Sequence, residues 1–178
     1  MQTQNLNLRP WRQSDLQFLA QLCADETVMQ YFPKVLSEEE SADFLRRLME
    51  HQEKHGFTYF ALEEKSSGEL IGFVGLALQE YESPFTPAVD IGWRLMPRAW
   101  GKGYATEGAK RCLQLAFEEL NLDAVIAVCS QSNSASERVM QRLAMKPVGE
   151  FQHPKLIEYP ELQPCLCYRI EAKDWKGV

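Results

Sequence analysis

Apolar and polar residues change period several times along the chain, and each change marks an element. Residues 5–9 alternate, with Leu6 and Leu8 on one side, before Pro10 interrupts them; the spacing predicts a first strand. From Ser14-Asp15 onward, Leu16, Leu19, Ala20 and Cys23 recur at helical intervals. Ser37-Glu38-Glu39-Glu40 reads as a capping box, and the helix behind it carries Phe44, Leu45 and Leu48 inward as far as His55, where Gly56 ends it. Strands at 58–63 and 70–79 are joined by the turn Ser66-Ser67-Gly68, and a third strand covers 88–96. A loop containing glycine then opens a long helix with Ala105, Ala109, Cys112, Ala116 and Leu120 on one stripe. A short buried strand at 124–129, a helix at 133–143 and strands near 148–151 and 165–170 complete the order β α α β β β α β α β β. That order predicts a mixed α/β fold whose sheet is antiparallel early and becomes partly parallel around the central helix.

There is no internal repeat, and the two linker-like stretches, Ser83–Pro87 and His153–Pro164, are short enough to be loops, so a single domain over residues 1–178 is expected. A chain of 178 residues with 45% hydrophobic content can bury roughly 70% of its unfolded surface. Its 19 Lys and Arg against 25 Asp and Glu leave a net charge of −6, which argues against non-specific nucleic-acid binding, as does the lack of a basic stripe interleaved with aromatics. No run of 18 apolar residues offers a membrane span, and MQTQNLNLRPW has no basic start followed by an apolar block, so a cytoplasmic location is expected. The five cysteines, Cys23, Cys112, Cys129, Cys165 and Cys167, are odd in number and read as reduced thiols. His51 and His55 share one helix face but have no third ligand nearby, so no metal is expected.

The segment from Asp90 to Ala105 holds the most chemistry. Arg98, Gly101 and Gly103 stand at R-x-x-G-x-G, between the end of a strand and the start of a helix. Glycines there allow positive φ and close approach of backbone to a ligand, and the helix start aims unpaired N–H groups into the loop, which suits a pyrophosphate. Lys102 is followed by Gly103, which rules out a Walker loop, and Thr106 stands where a Rossmann fingerprint needs its third Gly or Ala. Taken alone, the loop could equally be a plain strand-to-helix turn.

The loop does not stand alone. Arg98 to Gly103, together with Asn133-Ser134-Ala135-Ser136 and the following Val139, Leu143 and Met145, resembles the GNAT superfamily of N-acetyltransferases, with Ala144 where the family usually has Gly. The phrase from Asp90 to Gly108, the opening Leu6–Trp11 and the late Gly149–Pro154 are most similar to its RimJ/RimL-like branch. The resemblance implies a mostly antiparallel seven-stranded sheet, splayed between its central strands and flanked by four helices. It also implies transfer of acetyl from acetyl-CoA, without a metal, to a primary amine, either a protein N-terminus or a small molecule, by direct attack through a tetrahedral intermediate. The same signature would suit a non-catalytic acyl-CoA-binding regulatory module. Monomer and homodimer are both compatible with it.

By this resemblance the backbone of Leu95 and Met96 would hold the pantetheine arm, and Arg98 and the N–H groups of Gly101, Lys102, Gly103, Tyr104 and Ala105 the pyrophosphate. Asn133 would contact the pantetheine region, and Ser136 would face the sulfur as proton donor to the thiolate, or else satisfy local backbone. For the base, Asp90 could relay a proton, or pair with Arg94 on the same strand face. His153 is the other candidate base, and Tyr168 reads as core. The acceptor is expected between the first two helices and the two loops, with Trp11, Phe32, Tyr81 and Phe85 as candidate walls, although core packing accounts equally for Trp11 and Phe32; Glu80 and Glu82 either attract a cationic amine or belong to a solvated loop.

Overall fold

The computed structural model describes residues 1–177. Its strands are β1 (Leu6–Arg9), β2 (Tyr59–Glu64), β3 (Leu70–Gln79), β4 (Ala88–Leu95), β5 (Ala124–Ser130), β6 (Lys146–Gln152) and β7 (Pro164–Glu171). They form one seven-stranded sheet in the order β1-β2-β3-β4-β5-β7-β6. Every neighbouring pair is antiparallel except β4 and β5, which run parallel and meet at a single register position, Asp90 opposite Ile126. Beyond that position the two central strands diverge, so the expected splay is present.

Five helices flank the sheet: α1 (Leu16–Ala24), α2 (Glu26–Met29), α3 (Glu38–His55), α4 (Tyr104–Gln114) and α5 (Ser134–Arg142). Strand alternation sorts the core into two faces. Phe73 joins Trp11, Leu19, Leu22, Cys23, Leu45 and Leu48 beneath α1 and α3. Val74, Leu76, Ile91 and Leu95 pack on the other face with Leu113 and Met140, from α4 and α5. A smaller cluster, Ile126, Phe151, Cys165 and Cys167, is roofed by Tyr81 and Phe85.

The caps are where the sequence places them. Ser37 Oγ accepts from the Glu40 N–H (3.1 Å) while the Glu40 carboxylate accepts from the Ser37 N–H (2.9 Å), and Gly56 ends α3 at φ 78°. α1 carries Leu16, Leu19, Ala20 and Cys23 as expected, but an additional helical turn, α2, follows it: the Asp25 carboxylate accepts the N–H groups of Thr27 and Val28 and so starts it. The stripe after α4 winds as a π turn over Leu115–Glu119, closed by the Leu120 N–H on the Leu115 carbonyl (2.9 Å), which accommodates the buried Leu115 and Ala116.

His51 has both ring nitrogens engaged: Nδ1 with the Phe57 carbonyl (2.8 Å) and Nε2 with the Leu78 N–H (3.1 Å). It ties α3 to β3. Among the described residues no group of three or more His, Cys, Asp or Glu is arranged to hold a metal, all five cysteines are free and buried, and no helix is long and apolar enough to cross a membrane.

Candidate functional site

The connection from β4 to α4 folds tightly on itself before opening. The Met96 N–H donates to the Ile71 carbonyl (2.8 Å), the Met96 carbonyl accepts from Ala99 (2.9 Å), and the Trp100 indole donates to the Leu95 carbonyl (2.8 Å). Gly101 and Gly103 then adopt φ of 74° and 82°, a region that L side chains rarely adopt. A Cβ built on either would meet nothing within 4 Å, so backbone geometry explains these glycines and the space beside them is open. The N–H groups of Gly101 through Ala105 make no backbone hydrogen bond among the described residues. Five donors at the positive end of α4 therefore face outward, an arrangement that fits a diphosphate.

The cationic side chains of this loop point elsewhere. Arg98 donates to Glu69 Oε2 (2.7 Å) and to the Leu70 carbonyl (2.8 Å), pinning the loop to the start of β3. Lys102 and the Tyr104 hydroxyl both reach Glu64 Oε1 (3.2 and 2.7 Å), and the Ser67 hydroxyl donates to Oε2 (2.9 Å). These partners, the Tyr104 hydroxyl foremost, hold the Glu64 carboxyl down to about 2. Attraction for an anion thus rests on main-chain dipoles more than on side-chain charge.

The gap between β4 and β5 follows from register. Because Met96 bonds back to Ile71, the hydrogen-bonded positions of the β3–β4 ladder include Arg94 and Gly92, and the alternation turns the polar groups of Trp93 and Leu95 toward β5. β5 has already diverged there. Of the two backbone positions expected to hold the pantetheine arm, Leu95 presents its N–H to the gap, whereas both polar groups of Met96 are consumed within the protein. On the α5 side of the gap the Trp93 indole donates to Ser136 Oγ (3.3 Å), and Asn133 Oδ1 caps the helix by accepting from the Ser136 N–H (3.0 Å). The Tyr168 hydroxyl donates to Glu137 Oε1 of α5 (2.7 Å).

Asp90 and Arg94 lie on the opposite face of β4, and the pairing between them, the alternative to a proton relay, is not formed. Asp90 Oδ1 instead accepts from the Tyr59 hydroxyl (2.6 Å), which also accepts from Gln79 Nε2 (3.3 Å). Burial pushes the Asp90 carboxyl up to about 6, against the opposing pull of bonds from Tyr59, Gln79 and Ala77. The Arg94 guanidinium lies 4.0 Å from the Phe32 ring centre, and its Nη1 meets Cys23 Sγ at 3.3 Å. His153 packs against Tyr81 and Phe151 (ring centres 4.5 and 5.7 Å), and its Nδ1 accepts from the Lys155 N–H (3.2 Å). A neutral imidazole accepting at Nδ1 carries its proton on Nε2, so its remaining nitrogen donates; this geometry does not suit His153 to a base. Burial holds its pKa below the usual value, in keeping with the neutral form. Trp11 is buried and donates to the Tyr59 carbonyl (2.6 Å), so it belongs to the core and not to a wall.

The acetyltransferase (GNAT) domain model matches residues 5–146. The chain belongs to the GNAT acetyltransferase family. It is an acetyl-CoA-dependent acetyltransferase. It is 32% identical over 152 residues to the protein described as uncharacterized N-acetyltransferase YnaD of Bacillus subtilis, covering 84% of each chain. It is 31% identical to the FsC-acetyl coenzyme A-N(2)-transacetylase of Aspergillus fumigatus, over 98% of this chain and 77% of that one. The crystal structure of a GNAT-family acetyltransferase from Bacillus anthracis superposes with a TM-score of 0.80 at 26% identity, covering 97% and 98% of the two chains.

Three partners in this acetyltransferase site escaped sequence reasoning. Glu64 and Tyr59 stand on β2, far in sequence from the loop and strand they serve, and no local pattern announces them. Trp93 carries the apolar alternation of β4, which conceals its polar bond to Ser136.

Proposed function

We propose that this protein, as a single domain over residues 1–178, acetylates a primary amine of a protein N-terminus or small molecule, in the manner of the RimJ/RimL-like branch. The observation that carries the reading is the unbroken row of unpartnered N–H groups from Gly101 to Ala105, leading to the open edge of β4 at Leu95. Acetyl-CoA, as co-substrate, supplies the activated acyl group. Gly101, Lys102, Gly103, Tyr104 and Ala105 hold its diphosphate through main-chain donors, with Arg98 fixing the loop from behind. The Leu95 N–H and the Asn133 side chain line the path of the pantetheine arm. Ser136, already oriented by Trp93, supplies a proton as the thiolate departs.

The amine must lose a proton to attack. An α-amine, with a pKa near 8, is a far easier nucleophile at neutral pH than a lysine-like amine near ~10.4. Asp90, ionised above about 6 and approached from the α1–α3 face, accepts that proton directly or through water. The direct test is to incubate the protein with acetyl-CoA and an amine panel and to follow thiol release. Turnover of at least one amine supports the proposal. Uptake of coenzyme A with no thiol release from any amine assigns the chain to the non-catalytic binding module instead.

A further inference from the structure

Arg94 holds a cation that no carboxylate among the described residues neutralises. Among the described residues no carboxylate lies within ion-pairing distance, although the chain contains 25 acidic residues. Its Nε is closed off from solvent and has no hydrogen-bond partner, and Nη1 meets only a thiol. Burial disfavours the charged guanidinium. A buried cation without a counter-charge is costly, and an incoming anion would relieve that.

The surroundings fix the guanidinium in a chosen plane. Phe32 covers its face at 4.0 Å, with Phe73 and Phe44 at 5.2 and 5.8 Å. Phe32 is itself 39% exposed, so the cage opens outward. Stacking on aromatic rings holds the fork flat and leaves its edge for a planar, two-oxygen partner. Strand alternation puts Arg94 on the same face of β4 as Asp90, with Gly92 between them, on the side opposite Ser136.

We infer that Arg94 reads a carboxylate on the acceptor, so that the substrate is an amine that also carries a carboxylate, and not a polyamine. This rests on the proposed placement of the acceptor against the Asp90 face of β4. A lone guanidinium matches the single charge of a carboxylate; a polycation would meet repulsion.

The experiment compares matched acceptors, β-alanine with β-alaninamide and glycylglycine with glycylglycinamide, alongside spermidine, in the native protein and in Arg94→Gln and Arg94→Lys. The native protein is expected to favour the carboxylate member in kcat/KM by about tenfold or more. Arg94→Gln should erase the preference, and Arg94→Lys, the milder change should Arg94→Gln fail to fold, should keep only part of it. Equal use of both members, spermidine outrunning every carboxylate-bearing amine, or loss of both members in the same proportion on substitution would overturn the inference. Calorimetric binding of β-alanine and β-alaninamide to the CoA-saturated protein separates the two questions. If no amine releases thiol, the catalytic proposal falls; if β-alanine then binds no better than its amide, the Arg94 assignment falls with it, and if it binds better only in the native protein, Arg94 stands.

Discussion

Replacing Asp90 by Asn should strengthen the fold and disable the chemistry together. The amide oxygen of Asn can still accept the Tyr59 hydroxyl, so the change removes charge with little loss of shape. Burial raises this carboxyl from its ordinary 3.8 to about 6, and at about 1.36 kcal/mol per unit the ionised form is penalised by about 3 kcal/mol in the folded state. The sign fixes the pH window. Below 3.8 the group is neutral in both folded and unfolded chains, and nothing is lost. As pH rises toward 6 the unfolded chain ionises first, and stability drains away until the folded carboxyl ionises too. Urea unfolding of both proteins at pH 4, 5.5 and 7.5 measures the effect. Near pH 4 the two should differ little; at pH 7.5 Asp90→Asn should be more stable by as much as about 3 kcal/mol. Acetyl transfer should fall by about 10²–10⁴-fold, the range of a positioned base. A stability difference that does not vary with pH, or a variant weaker than the native protein at pH 7.5, would refute the reasoning, because the Tyr59 bond would then outweigh desolvation.

Ala144 follows α5 at φ 58°, which a Cβ disfavours by roughly 1–2 kcal/mol, partly offset by the greater unfolded-state freedom of glycine. Ala144→Gly should therefore raise stability by about 0.5–1 kcal/mol and the Tm by a few degrees in a thermal melt, with activity preserved. Gly101→Ala adds a methyl into open space at φ 74°, so calorimetry should show coenzyme A affinity falling at least about tenfold while stability drops by about 1 kcal/mol. A stability loss with affinity intact would mean the glycine serves the turn alone. Ser136→Ala should lower kcat for acetyl transfer and leave coenzyme A affinity nearly unchanged; equal loss of both would remove Ser136 from the proton path.

Local rules made much of this fold readable. The capping box at Ser37 and Glu40, the stop at Gly56 and the strand at 70–79 each depend on neighbours within a few residues, and the structure reproduces them. The glycines at 101 and 103 were legible because positive φ is a property of one residue at a time. What failed needed information from elsewhere. The one-turn α2 was not foreseen, because it rests on the Asp25 cap and has too few residues to show a period. Strand alternation put Asp90 and Arg94 on one face, which was right, but left a proton relay and a pairing with Arg94 both open for Asp90; Tyr59, from a strand two places away in the sheet, is the partner that alternation could not name. Met96 looked like an open backbone position, but the β3–β4 ladder runs one residue past the end of the strand and takes its N–H.

The Tyr59–Asp90 bond also gives Gly92 a reason that neither turn geometry nor flexibility supplies. Tyr59, Gly75 and Gly92 stand in one register row across β2, β3 and β4. A Cβ on Gly92 would meet the Tyr59 ring at 3.0 Å, and one on Gly75 would meet the Thr58 carbonyl at 2.0 Å. Glycine inside a strand weakens it and marks a close approach. At Gly75 the approach is that of the β2 backbone; at Gly92 it is that of the tyrosine ring, stacked at 5.6 Å on Phe73, whose hydroxyl thereby reaches a carboxylate on β4, two strands from its own. The same cleared row separates Asp90 from Arg94. Had Gly92 carried a side chain, the Tyr59 ring would have to move, and its bond to Asp90 with it. One face of β4 thus holds a carboxylate with a raised pKa and a guanidinium with an unpartnered Nε, while Trp93 and Leu95 stand on the other. In the proposed reading, division of that strand between its two faces lets one short segment address a coenzyme and an acceptor at once.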